Sequence, residues 1–428
     1  VSLLEIGQHH KGRVEKLVYG GAGLLRNNGI VIFVLDVLPE EEITYEITSV
    51  KKRYAEGRLI SIEHASPNRI KPRCPHFGVC GGCQLQHAHA SCHAEIKNQW
   101  LKESMYGLLP EGISPIVVPA TDVWAWRRKI TLHARPGPVL GLGYFSRDNT
   151  TLLSIRECPI FFRAGEETLL ELLRNALQCI KSPFFDITVS LFRLEDSSLY
   201  IAIKSPHNIS SSEQTLLIEK MHELTTTFSL SFASWNVHVG SHDFSLHILG
   251  KEWFFSLDAF IQNNAAQSER LWKDMLQLLD NEEKTNIFDL YSGVGVTAIE
   301  LASQGHTVCA VEASRDAVKA ARRTATSRGI SAKFVCGKVE ETIPRLPFQA
   351  SIWVVNPPRT GLSPQARDLL CKSKPRHVIY ISCSPATMAR DIKECKKENY
   401  QVQWIRGYDM FPQTTHLETV ALLEQTSD

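Results

Sequence analysis

The chain has 428 residues, 43% of them apolar and 22% charged, proportions of a soluble globular protein that exclude global disorder and leave room for about three domains. Lys and Arg number 47 against 46 Asp and Glu, a net charge of +1, which excludes a polycation that coats nucleic acid or membrane indiscriminately. The longest apolar runs, such as Val31 to Leu35, are only a few residues long, too short for a membrane-spanning helix.

Val1 to Glu15 carries His9, His10, Lys11 and Arg13 and no apolar stretch, so no secretory signal is expected there. Gly12 to Val18, Gly29 to Val37, Thr44 to Lys51 and Arg58 to Ile62 are rich in Val, Ile and Tyr, with Gly20-Gly21 and Asn27-Asn28-Gly29 as turn signals. This pattern predicts a small β-barrel of OB-like kind over residues 1–65. Such a barrel either binds nucleic acid or acts as a spacer, and pattern alone does not choose.

Eleven cysteines follow, an odd number scattered through a long chain. That is no disulfide framework, and the cytoplasm is the expected compartment. Cys92, Cys179, Cys309, Cys336, Cys371, Cys383 and Cys395 are dispersed, and most should be buried small apolar groups. Cys74-x5-Cys80-x2-Cys83 instead puts three thiols within ten residues, with Gly81 and Gly82 free to wrap a metal centre and His76, His87, His89 and His93 nearby. Zinc and an iron–sulfur cluster both suit it. From Lys51 to Glu103 nine Lys and Arg face four Asp and Glu, a local basic region hidden by the overall balance.

Residues 66–258 read as a central α+β domain. Ile130 to Ala134, Thr188 to Phe192 and Leu199 to Ile203 are strand-like, and Glu166 to Leu177 and Glu213 to Leu224 amphipathic. Trp124-Ala125-Trp126-Arg127-Arg128-Lys129 interleaves aromatics with cations, a composition that stacks on bases and neutralises phosphates, or that forms a core Trp pair beside a solvated charge run. From residue 259 to 428 a helix over Ala266 to Leu279 precedes strands alternating with helices: Asn286 to Leu290, Thr307 to Glu312, Lys333 to Cys336, Ser351 to Asn356, His377 to Ser382, Gln401 to Tyr408 and Thr419 to Leu423. The fold class is therefore α/β, with a Rossmann-like, doubly wound C-terminal sheet.

Several motifs fall at the carboxyl ends of these strands, where such sheets bind ligands. Asp289-Leu290-Tyr291-Ser292-Gly293-Val294-Gly295 is a glycine turn lacking the third glycine of a dinucleotide fingerprint, and Glu312 stands nineteen residues after Gly293, suited to ribose hydroxyls. Asn356-Pro357-Pro358-Arg359-Thr360-Gly361-Leu362 closes the fourth strand, and Ser382-Cys383-Ser384-Pro385 closes the fifth. A helix starting near Pro385 should lower the pKa of Cys383 and raise its nucleophilicity. Glu418, before the last strand, should open on the same crevice.

Together these pieces resemble the S-adenosylmethionine-dependent RNA 5-methyluridine methyltransferases of the iron–sulfur, TRAM-containing ribosomal type. Phe260-Ile261-Gln262-Asn263-Asn264 is similar to that family's F-x-Q-x-N, and Asn356 to Leu362 to its D-P-P-R-x-G-L. Ser382 to Asp391 resembles S-C-N-P-x-T-L-x-R-D, and Asp409 to Glu418 resembles D-M-F-P-H-T-x-H-V-E. The resemblance implies Cys383 as nucleophile and Glu418 as base. It implies Gln262, Tyr291, Glu312 and Asn356 as contacts to S-adenosylmethionine. It also implies Cys158, in Arg156-Glu157-Cys158-Pro159, as fourth ligand with Cys74, Cys80 and Cys83 to a [4Fe–4S] cluster, zinc remaining the alternative. The barrel would be a TRAM domain and Arg127 or Arg128 a phosphate contact. Asn356 for Asp, Ser384 for Asn, Gln413 for His and Lys338 for a small or acidic residue depart from the pattern.

The expected activity is methylation of uridine C5 in large-subunit ribosomal RNA by a monomer without membrane contact. Alternatives are the same chemistry on transfer RNA, or an RNA-binding assembly factor with weak catalysis.

Overall fold

The computed structural model describes residues 4–135, 140–163, 168–181, 187–194, 199–240, 243–256 and 259–426. It has mixed α/β architecture with three large sheets. Among the described residues no helix is long and apolar enough to cross a membrane. The expected domain limits at 1, 258 and 428 and the start of the stretch Glu166 to Leu177 lie outside the described residues.

The N-terminal sheet has six strands: His9–Arg13, Lys16–Leu17, Gly23–Asn27, Ile30–Val34, Glu42–Val50 and Tyr54–His64. The first and second are its two edges, yet they are successive parts of one run. The Val14 amide donates to Glu41 O at 2.9 Å on one side, and the Glu15 amide to Leu24 O at 2.8 Å on the other. The sheet thus closes on itself as a barrel, filled by Leu25, Ile32, Val34, Ile43, Tyr45 and Ile47. Gly23–Asn27 was not among the expected strands. Its sequence GLLRN has no β-branched or aromatic residue, and it forms because Asn28 and Gly29, both at positive φ, make the tight turn that folds it onto Ile30–Val34.

The central sheet orders seven strands: Leu152–Ser154, Gly141–Phe145, Lys129–Arg135, Ile187–Arg193, Leu199–Lys204, Phe228–Phe232 and Trp235–Val239. Its core takes in Leu170, Leu173 and Leu177 of the helix Thr168–Leu177 and Leu217 and Met221 of the helix Ser211–Leu224. Trp126 is also buried there, so it is a core side chain and not a stacking surface.

The C-terminal sheet has eight strands in the spatial order Lys333–Cys336, Thr307–Glu312, Asn286–Leu290, Ile352–Val355, His377–Ser382, Glu418–Gln425, Tyr400–Tyr408 and Ile116–Val118. Its first five strands are parallel, and Glu418–Gln425 runs against both neighbours. The strand order reverses at Asn286–Leu290, so a crevice opens beyond the carboxyl ends of the parallel strands. Ile116–Val118, which the central stretch of the sequence supplies, pairs with Tyr400–Tyr408 and ties that stretch to this sheet.

Candidate active site

The thiol and the carboxyl are brought together by register. The antiparallel ladder between His377–Ser382 and Glu418–Gln425 ends with Ser382 opposite Thr419. Cys383 and Glu418 are the next residues along the two chains, close enough for the carboxyl to act on the thiol. Ser384 caps the helix Pro385–Lys396, its side chain accepting from the Thr387 amide at 3.4 Å. Cys383 is thereby held between a strand and a helix and left half-buried.

Glu418 is only 3% exposed, and burial pushes its carboxyl up to about 8, with the Arg359 guanidinium acting in the opposite direction. The sequence-based expectation for Cys383 is reversed. Burial, then Glu418, raise its thiol above the ordinary value, while Arg359 pulls it down. The helix start is legible in sequence; a buried acid near the sulfur is not. Arg359 belongs to the Pro-Pro loop, and its charge reaching both Cys383 and Glu418 was missed by sequence reasoning.

The segment leading to Glu418 is fastened from three sides. Lys97, fully buried on the helix His93–Ser104, donates to Asp409 Oδ1 at 2.5 Å, Phe411 O at 3.0 Å and His416 O at 2.7 Å. The Asp409 amide donates to Val118 O at 2.9 Å. Gln84 and Leu85, directly after Cys83, both donate their amides to Gln413 O at 3.0 Å, and Gln84 Oε1 accepts from the Thr415 amide at 3.3 Å. Gln413, one of the departures, is buried with φ 68°. Lys97 therefore does not contribute to the basic surface in which it was counted. Burial lowers its pKa, and Asp409 raises it.

A cavity of about 460 Å³ lies at the carboxyl ends of the parallel strands, lined by Tyr291, Glu312, Lys338, Pro358, Gly361 and Arg390 among others. Both oxygens of Glu312 accept backbone amides, from Gly293 at 2.9 Å and Ser314 at 2.7 Å. Each keeps a lone pair for a ribose hydroxyl. Tyr291 carries φ 60° at the strand end. Gln262 and Asn356 are not among the lining residues. Asn264 caps the helix Ala265–Gln277, its side chain accepting from the Gln267 amide at 3.2 Å. Asp289 was missed: it is buried, pushed up to about 8 by desolvation and then by nearby Glu312, and its Oδ2 has no partner.

The four cysteines of the candidate cluster also meet. Cys74, Cys80, Cys83 and Cys158 line one cavity of about 50 Å³ with His76, Arg127 and Tyr144, several times the space one water needs. Desolvation raises all four thiols, Cys83 to about 12 and Cys158 to about 11, with mutual repulsion adding to both. Among the described residues no three His, Cys, Asp or Glu side chains form a group drawn together as ligands to one metal ion. The four thiols line one cavity without forming such a group. Three of the nearby histidines have other duties. His87 bonds Val37 O, His93 bonds Leu85 O and Ala88 O, and His89 caps a short helical turn. Arg127 faces this cavity and donates Nε to Lys129 O at 2.8 Å.

The family described as tRNA (Uracil-5-)-methyltransferase matches residues 338–426, and a methyltransferase small domain matches residues 272–370. An "uncharacterized RNA methyltransferase" of Protochlamydia amoebophila is 31% identical over 437 residues, spanning 99% of each chain. A "23S rRNA (uracil(1939)-C(5))-methyltransferase" of Salmonella typhi is 29% identical over 420 residues, covering 96% of this chain and 95% of that one. The crystal structure of Pyrococcus abyssi tRNA (uracil-54, C5)-methyltransferase with S-adenosyl-L-homocysteine shares the fold, with TM-score 0.76 and 24% identity over 97% of this chain and 100% of that one.

Proposed function

The chain belongs to the S-adenosylmethionine-dependent RNA (uracil-C5)-methyltransferases, and from that premise we propose that it methylates a uridine of large-subunit ribosomal RNA through a covalent adduct on Cys383. The approach of Cys383 and Glu418, each one residue beyond the last pair of one strand ladder, carries this reading. Uracil C5 is too weak a nucleophile to take a methyl group unaided. The Cys383 sulfur, once deprotonated, adds to C6 and pushes the C5=C6 electrons into the C4 carbonyl as an enolate. C5 then forms its bond to carbon using those electrons. S-adenosylmethionine supplies the methyl, with the sulfonium sulfur leaving with the pair from the broken bond. Glu418 takes the C5 proton, and the electrons left on C5 expel the thiolate and restore the double bond. Arg359 favours the thiolate at the first step and the carboxylate at the last.

Glu312 and Tyr291, on the larger cavity, are the cofactor contacts best supported by position; Gln262 and Asn356 are assigned to the cofactor or uracil by motif alone. Cys74, Cys80, Cys83 and Cys158 would hold a [4Fe–4S] cluster. Methyl transfer needs no redox step, so the cluster's part is structural: Cys83 sits one and two residues from the Gln84 and Leu85 amides that hold Gln413 O. Residues 1–65 serve as a TRAM-like barrel, 66–258 as the RNA-facing domain and 259–428 as the catalytic domain. Eleven free cysteines fit a reducing compartment. The near full-length similarity to the Salmonella typhi enzyme favours ribosomal RNA; the transfer-RNA reading rests on the wording of the matched family. Tritium release from 5-tritiated uridine, measured in ribosomal and transfer RNA with a labelled methyl donor, tests this. Release from ribosomal RNA is expected. Release confined to transfer RNA would move the substrate, and none from either would leave an assembly factor.

A further inference from the structure

The turn Val18–Ala22 of the N-terminal barrel reaches the catalytic crevice. The Val18 amide donates to Ala22 O at 2.8 Å and the Gly21 amide to Val18 O at 2.9 Å, with Gly20 and Gly21 at φ 101° and 88°. The turn is pressed against the catalytic loop: a Cβ on Gly21 would lie 3.1 Å from Thr415 Cγ2 and 3.2 Å from Gln84 Cβ. Thr415 is three residues from Glu418. From the other side Trp100, buried to 1% exposure, donates Nε1 to Leu17 O at 2.8 Å. Lys16 pairs with Glu103 on the same helix at 2.7 Å. The turn is thus anchored on both flanks.

Tyr19 stands at its tip. Its ring packs against Trp100 in a T-shaped pair, with centroids 5.9 Å apart and planes at 80°. The side chain keeps 43% exposure. The phenol is close enough to Cys383 and Arg359 to feel both: burial first, then Cys383, raise its pKa, and Arg359 lowers it. The ring therefore stays neutral at physiological pH, within electrostatic reach of Cys383.

Resting on the uracil-methylating reading above, we propose that Tyr19 is a base-stacking residue that receives the nucleobase next to the target uridine when that uridine is turned out of the RNA. A base leaving a stack strips its neighbours of one stacking surface. An anchored, part-exposed aromatic ring at the crevice mouth replaces that surface at little entropic cost, and base–aromatic stacking tolerates any base. The barrel would then act in substrate binding as well as in packing, at a position set by Trp100 and Gly21.

The test uses full-length protein and an in vitro transcript of the ribosomal RNA fragment whose uridine the wild type methylates, with 2-aminopurine placed on either side of that uridine. Tyr19→Leu keeps an apolar contact with Trp100 but has no π face. It should lower kcat/KM for the transcript by ~5- to 150-fold, the stacking range of ~1–3 kcal/mol converted at ~1.4 kcal/mol per tenfold. S-adenosylmethionine affinity, measured by calorimetry without RNA, should not move. Tyr19→Phe and Tyr19→Trp should recover most of the loss, and the wild type should quench one 2-aminopurine that Tyr19→Leu leaves bright. Unchanged kcat/KM in Tyr19→Leu overturns the proposal. So does a Tyr19→Phe variant as poor as Tyr19→Leu, which would assign the effect to the hydroxyl. A parallel fall in cofactor affinity also overturns it, because the residue would then be only a packing element. Failure of the wild type to methylate uridine C5 in any RNA is a different result, and it sinks the reading beneath.

Discussion

Cys383 and the cavity of Cys74, Cys80, Cys83 and Cys158 present the same atom in two electrostatic settings. Burial raises the thiol in both places. At Cys383 the next neighbours are the Glu418 carboxyl and the Arg359 guanidinium. In the cavity other thiols raise Cys83 and Cys158 further, while Arg127 acts against this at Cys158 and Arg147 at Cys80. A sulfur between an acid and a cation can give up its proton and take it back, which is what a transient covalent bond requires. Sulfurs that raise one another's pKa ionise together only around positive charge, which the proposed metal centre would supply. The neighbours, and not the cysteines, separate the proposed nucleophile from the proposed ligands.

The largest expected effect breaks the comparison on the catalytic side. Cys383→Ala should cut methyl transfer by at least ~10⁴-fold, as loss of a nucleophile acting in concert with its partners does, and should no longer be trapped on RNA carrying 5-fluorouridine. Glu418→Gln should lose ~10²–10⁴-fold, the general-base share, yet still form a protein–RNA adduct on ordinary RNA, visible as a slow band on a denaturing gel. An adduct-free Glu418→Gln would place the carboxyl before the addition step.

Next in size is the pin between the two regions. Lys97 has no exposed surface and three acceptors. Lys97→Met leaves Asp409 buried without its counter-ion and should cost about 3–5 kcal/mol of stability in denaturant unfolding. Adding Asp409→Leu should recover most of that. A single variant as stable as wild type would mean that the loop does not depend on this pair.

On the cluster side, Cys83→Ser should abolish the broad visible absorbance of anaerobically purified protein. Methyl transfer should fall ~10–100-fold, the scale of losing support around a site and not of losing its chemistry. Metal analysis that finds stoichiometric zinc and no such absorbance would replace the cluster with zinc. A loss as complete as that of Cys383→Ala would erase the distinction between the two sulfur sites.

The catalytic sheet was almost fully legible in sequence. Asn286–Leu290, Thr307–Glu312, Lys333–Cys336 and His377–Ser382 fall on their expected limits, because strands covered on both faces are continuous apolar runs ended by turn residues. What was not legible arises from contacts distant in sequence. Lys97 looks like one more surface cation until residue 409 folds over it. Trp126 has the composition of a stacking platform but fills the central core. Tyr19 lies 364 positions before Cys383, and nothing local marks it as a neighbour. The direction of the Cys383 shift was misread for the same reason: the helix that would lower it follows in sequence, while the acid that raises it comes from another strand.

The smallest effect is graded with pH and sharpens the comparison most. At neutral pH the Glu418 carboxyl, pushed up to about 8, is mostly protonated and cannot accept the C5 proton. Cys383 is also mostly thiol. Both must lose a proton, so single-turnover methylation should rise with pH by ~10-fold per unit while one group limits, and bend near pH 8 where Glu418 is that group. The same shift acts on stability with a defined sign. The folded value lies above the unfolded one, ~4.3 for a free glutamate, so folding takes up a proton that the unfolded chain releases. Its contribution is fully present below the unfolded value and is lost as pH rises through about 8. Glu418→Gln has no proton to release. It should therefore melt above wild type at a pH of ~8–9 and close to it at ~4–5. Equal melting at both would mean that the folded chain holds this carboxyl ionised, and the bend in the rate profile would then belong to Cys383.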